Sequence, residues 1–148
     1  MSQAGARTRY AVRAALTIAA GLAVHRFATG LPAAVRDVAG DVLWAAMIVW
    51  LLAVLAPPAR RPALLVGALL ICFGVELSQL VQVEWLAALR RTGVGRLVLG
   101  SGFDPRDFVS YAVGVGLAGL ADRTAIARGA ASPPTRHPDT TPRSRPNS

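Results

Sequence analysis

The sequence contains no lysine: all 16 of its basic residues are arginine. They sit at the ends of apolar blocks and in the C-terminal tail, not along a surface interleaved with aromatics. The formal charge of +8 therefore reads as membrane topology and not as a nucleic-acid footprint. Cysteine is nearly absent too. A lone Cys72 inside an apolar run excludes an intrachain disulfide and a thiolate metal cluster. The two histidines, His25 near a helix end and His137 in the tail, leave no histidine-based metal site. Phosphate-loop and dinucleotide motifs are missing, since the glycines of "GVGRLVLGSG" fit neither spacing and read as a flexible turn. A triad of Ser78 or Ser110 with His25 and Asp107 lacks a nucleophile elbow, so no catalytic residue and no cofactor is assigned. Charged residues are few, 16% against 53% hydrophobic, and the hydrophobic ones come in blocks.

Those blocks are what the sequence does have. Crossing about 30 Å of hydrocarbon takes roughly 20 apolar residues in a helix. Four segments approach that length: 10–27, 38–57, 62–83 and 107–121. The first is the weakest, because Arg13 and Arg26 must extend their charged ends to the two interfaces. It resembles a signal peptide, but no small-residue cleavage site follows, which favours a retained helix. Pro57 and Pro58 stop the second, and Pro62 suits the first turn of the third. Gly114, Gly116 and Gly119 on the fourth let neighbouring helices approach closely and offer a face for homo-oligomers. The intervening 84–106 is too broken to span and predicts at most a short amphipathic turn at the interface around Trp85, Leu86 and Leu89. The expected architecture is all-α: an integral membrane four-helix bundle over 9–123, with a disordered tail over 124–148.

Arginine counts orient it. With the N-terminus cytoplasmic, ten arginines fall inside and six outside, and the six outside are nearly balanced by five acids. Both termini are expected in the cytoplasm.

Alternating crossings have a consequence for the polar residues. The second helix begins outside, the third ends there and the fourth begins there, so Asp41, Glu76, Gln79 and Asp107 arrive at one depth. Cys72, Glu76, Gln79 and Val83 share a face at three- and four-residue steps, as do Asp107, Ser110, Tyr111 and Gly114. A buried acid in a membrane helix turns toward protein and finds a partner. Arg96 or Arg106 could fold over Glu76 as countercharge. The layer has two readings: a hydrogen-bonded buckle that holds helices in register, or a polar pocket formed by Glu76, Gln79, Asp107, Asp41, Arg96, Tyr111 and Ser110.

The strings "RYAVRAAL", "GDVLWAAMIVWLL", "VELSQL", "EWLAALRRTGVGRLVLGSGF" and "DFVSYAVGVGLAGLAD", in this order, resemble the bacterial membrane-protein family called domain of unknown function 2809. The resemblance covers about 9–123. More distantly, "ELSQL" and the later Asp107 before a small-residue helix are similar to VanZ-like proteins. Tyr111 and Val113 stand where those proteins usually carry asparagine. The resemblance implies a multi-pass protein of the bacterial cytoplasmic membrane with a role at the cell envelope. The expected function is non-enzymatic: binding of a polar or lipid headgroup, with membrane lipid or a small lipid-linked molecule as partner and no nucleic acid. One alternative is a small proton-coupled transporter, which would need a water path through inner helix halves that read as almost wholly apolar. The other is a structural or assembly subunit.

Overall fold

The computed structural model describes residues 3–56, 61–81, 83–100 and 102–131. Among them every regular element is helical: α1 Gln3–Phe27, a single 3-10 turn Ala28–Gly30, α2 Ala33–Leu55, α3 Arg61–Ser78, α4 Glu84–Arg91, α5 Gly93–Leu99 and α6 Asp107–Ala131. Three stretches are long and apolar enough to cross a membrane: Gln3–Gly30, Ala33–Leu55 and Arg61–Ser78. At about 1.5 Å per residue even the shortest reaches about 27 Å. This is the helix set of a membrane protein. The fourth long helix, α6, is diluted by Asp107, Asp122 and Arg123 and is not among those three.

α2 packs against α1, α3 and α6, and α3 packs against α6. The directions follow from who meets whom. Val42 and Ala45 of α2 lie against Gly114 of α6, and Leu65 of α3 lies against Gly119. Tyr10 of α1 stacks on Trp50 near the other end of α2. α2 and α6 therefore run parallel to each other and antiparallel to α1 and α3.

The core is made of small residues in helical register. Ala45, Val49 and Ala53 line α2; Ala68, Cys72 and Glu76 line α3; Tyr111, Val115, Ala118 and Asp122 line α6, and all are buried. Large aliphatic side chains such as Leu16, Leu55, Leu70, Leu77, Leu117 and Leu120 point outward. That inversion suits a lipid surround, where tight van der Waals contact between small residues, and not apolar burial, drives helix association. Gly114 is where the contact is closest. A Cβ there would fall 2.3 Å from the carbonyl oxygen of Val42.

α1 and α2 start earlier than expected, at Gln3 and Ala33, and the second half of the chain departs further from the sequence expectation. α3 ends at Ser78, not at Val83, because Arg90 of α4 folds back onto the helix end. Its Nη2 donates to the Ser78 carbonyl at 2.6 Å and its Nη1 to the Val81 carbonyl at 3.3 Å. Gln79, Leu80 and Val81 follow as a tight turn of three-residue hydrogen bonds. The segment after it holds two helices where a turn was expected. α4 has Glu84 in its first turn and Arg90 and Arg91 in its last, which complements the helix dipole. Leu86 is its buried anchor, while Trp85 and Leu89 are exposed. The glycine-rich stretch forms α5, whose start is capped by the Thr92 hydroxyl accepting from the Gly95 N–H at 2.9 Å. Finally, α6 continues past Ala121 through Ala131, into the stretch expected to be disordered, since "TAIARGAA" is rich in strong helix formers. The remainder of that tail, 132–148, lies outside the described residues.

Candidate functional site

Glu76 stands on the inward stripe of α3 and is fully buried. Its carboxyl group accepts three hydrogen bonds. Oε1 takes the backbone N–H of Asp104 at 2.7 Å; Oε2 takes Gln79 Nε2 at 2.8 Å and the Tyr111 hydroxyl at 3.1 Å. One side chain thus ties together the end of α3, the loop before α6, and α6 itself. Asp104 can offer its N–H because its own carboxylate accepts from the Arg106 N–H at 2.9 Å, which folds the loop into a turn leading into α6.

The other acids gather around it. Asp41 and Asp107 lie within electrostatic reach of each other and of Glu76. Ser110 is buried on the same face of α6. Of the residues expected in this layer, Glu76, Gln79 and Tyr111 meet directly, Asp41 lies near Asp107, and Ser110 lies beside them. Arg96 belongs to α5, and its side chain lies outside the described residues. The arginine that reaches the end of α3 is Arg90, and it binds backbone there, not Glu76. Val83, expected on the shared face, is exposed beyond the turn.

Gln79 has a second property. Donating Nε2 to the Glu76 carboxyl fixes the amide plane, so Oε1 points away; it is buried and has no hydrogen-bond partner among the described residues. Gly100 allows this placement. Its φ is +71°, and a Cβ on it would fall 2.5 Å from Gln79 Nε2. Gln79 also lines an open cleft of about 420 Å³, together with Leu80, Ala87, Arg90, Arg91, Gly102 and Phe103.

The opposite end of the molecule holds a second polar cluster, so the inner halves are not the apolar zone expected. Asp122 is buried and pairs with Arg13 at 2.9 Å and Arg61 at 3.1 Å, and the Tyr10 hydroxyl approaches it at 3.2 Å. Arg13 does not reach out to an interface; it lies over the Trp50 ring, 4.8 Å from its centroid. The sequence signal was available, because Asp122 continues the buried stripe of Tyr111, Val115 and Ala118 at helical steps. Among the described residues no group of histidine, cysteine and acidic side chains is arranged to hold a metal ion.

A family model described as a protein of unknown function, DUF2809, matches residues 30–115. The chain belongs to the DUF2809 family. No solved structure matches it. The matched stretch of this DUF2809 protein runs from the turn before α2 to the middle of α6. It therefore contains every residue of the Glu76 cluster and leaves out α1 and Asp122.

Proposed function

We propose that this DUF2809 protein is a multi-pass protein of the bacterial cytoplasmic membrane that crosses four times, with α6 as the fourth span and both termini in the cytoplasm. Its polar layer near the outer face binds a headgroup. The antiparallel run of the long helices and the arginine excess on the N-terminal side support that orientation. The envelope role rests on the VanZ-like resemblance.

The observation that carries the binding reading is the buried Oε1 of Gln79, unpartnered among the described residues, on a side chain that lines one cleft with Arg91. A buried acceptor left without a donor is costly, and a ligand N–H or O–H would satisfy it. The guanidinium of Arg91 supplies the complement for an anionic oxygen. The ligand class is thus a headgroup that joins a hydrogen-bond donor to a phosphate, with membrane lipid as its source. Glu76 holds Gln79 in place, and does not face the ligand.

Phosphatidylethanolamine carries such a donor, whereas phosphatidylcholine has the phosphate but no N–H. Retention of the two by the purified protein, measured by native mass spectrometry, tests the reading. Preference for the ethanolamine lipid is expected, with retention of both lipids reduced in Arg91→Ala; equal retention of both by the parent contradicts it. A structural reading has its own support in the buried carboxyl of Glu76, whose three hydrogen bonds clasp α3 to α6 and the loop before it.

A further inference from the structure

We infer that the end of the molecule around Asp122 is a second lipid site, which takes the phosphate of an anionic phospholipid at Arg61 and Arg123. The inference rests on the chain crossing the membrane and is independent of the cleft at Gln79. A cavity of about 120 Å³, the space of about four waters in the liquid, opens between α2, α3 and α6. Its walls are of two kinds. Val49, Ala53, Leu64 and Leu65 are apolar, and Arg61, Arg123 and Asp122 form the polar side.

The carboxylate does not repel an anion here, because it is already neutralised. Both Asp122 oxygens are engaged by guanidinium groups, one by Arg13 and one by Arg61, and its side chain is nearly enclosed. Three guanidinium groups around one carboxylate leave an excess of two positive charges at the cavity. Arg61 is aimed by its bond to Asp122, yet its side chain stays 34% exposed, and Arg123 makes no ion pair among the described residues. Close by, Arg9 lies 5.2 Å from the centroid of the Tyr10 ring, with its Nε buried and without a hydrogen-bond partner among the described residues. Guanidinium groups bind phosphate oxygens through parallel N–H donors, and basic pockets between membrane helices are suited to anionic headgroups. The apolar wall lies in the same cavity as the guanidinium groups and suits the start of an acyl chain. That favours a phospholipid over a free phosphate ion.

Trp50 lines the cavity and reports on it. In a Trp44→Phe, Trp85→Phe background, the chain is reconstituted in phosphatidylcholine vesicles containing a minor fraction of chain-brominated phosphatidylglycerol or, for comparison, brominated phosphatidylcholine. Quenching of Trp50 is expected to show about a tenfold preference for the glycerol lipid, the size of one charge-assisted hydrogen bond to phosphate. Arg123→Gln should abolish the preference, while Arg26→Gln, which removes the same charge at the other end of α1, should keep it. Circular dichroism checks that both variants fold. Equal quenching by the two lipids overturns the inference, as does displacement of the glycerol lipid by excess inorganic phosphate, which would assign the site to a soluble anion. Loss of the preference in Arg91→Gln but not in Arg123→Gln would place the lipid in the Gln79 cleft; this inference then fails while the proposed function stands.

Discussion

The Tyr111 hydroxyl donates to Glu76 Oε2 at 3.1 Å, joining α6 to the end of α3 across 35 positions of sequence. The bond is one of three to a carboxyl group no solvent reaches. Removing it separates what the clasp does for stability from what the neighbouring cleft does for binding. Tyr111→Phe keeps the ring and deletes the donor. Its expected cost is about 1 kcal/mol, the scale of interhelical hydrogen bonds in membranes, read as a lowered unfolding midpoint in detergent. Headgroup preference should stay as in the parent, because Gln79 still donates to Glu76.

At position 76 itself, glutamine and leucine should behave differently. In Glu76→Gln the new amide oxygen can accept from the Asp104 N–H, and its Nε2 can donate to Gln79 once that amide turns its oxygen inward. The loss is expected to be about 1 kcal/mol. The same rotation consumes the free acceptor, so headgroup preference should fall although the fold survives. Glu76→Leu instead leaves the Asp104 N–H, the Gln79 amide and the Tyr111 hydroxyl without partners, at about 1–3 kcal/mol each. Folded yield should collapse. Similar yields for the two variants would contradict the three-bond geometry.

How much of this was legible beforehand depends on the kind of interaction. The convergence of Asp41, Glu76 and Asp107 could be read because helical spacing and alternating direction are local rules. The end of α3 could not, since "SQLVQV" is compatible with helix and the stop comes from Arg90, a residue of another element that takes the Ser78 and Val81 carbonyls. The third donor to Glu76 was equally hidden, because a backbone N–H such as that of Asp104 leaves no trace in residue type. Arg13 and Asp122 are visible as residues, but no local rule makes them meet; their pairing depends on α1 and α6 both contacting α2.

That second cluster gives a graded prediction. Asp122→Ala strands two guanidinium groups, Arg13 largely enclosed and Arg61 about a third exposed. Breaking a buried pair from the acid side costs on the order of 3 kcal/mol. Arg61→Gln leaves Asp122 still paired with Arg13 and removes a partly solvated partner, so it should cost no more than about 1 kcal/mol. Equal effects in denaturant titrations would mean that Arg13 does not hold the acid.

Gly114, Gly116 and Gly119 differ in what surrounds them. Gly114 lies against the Val42 backbone and Gly119 against the Leu65 side chain, whereas a Cβ on Gly116 meets nothing within 4 Å. Gly114→Ala should force α2 and α6 apart at about 1–3 kcal/mol. Gly116→Ala should be neutral or slightly stabilising, because it improves helix propensity in open space. Thermal unfolding of the two variants side by side checks the assignment.

The account stands on the ends of α3 and the starts of α2 and α6 sharing one side of the membrane, with the start of α1 on the other. Labelling by a membrane-impermeant maleimide tests this directly, with cysteines placed singly at Asp37, Gly102 and Arg7 in a Cys72→Ser background. Labelling of the first two in intact cells, and of the third only after permeabilisation, is the predicted result. Labelling of positions 37 and 102 from opposite sides, or of position 7 together with them, would contradict it.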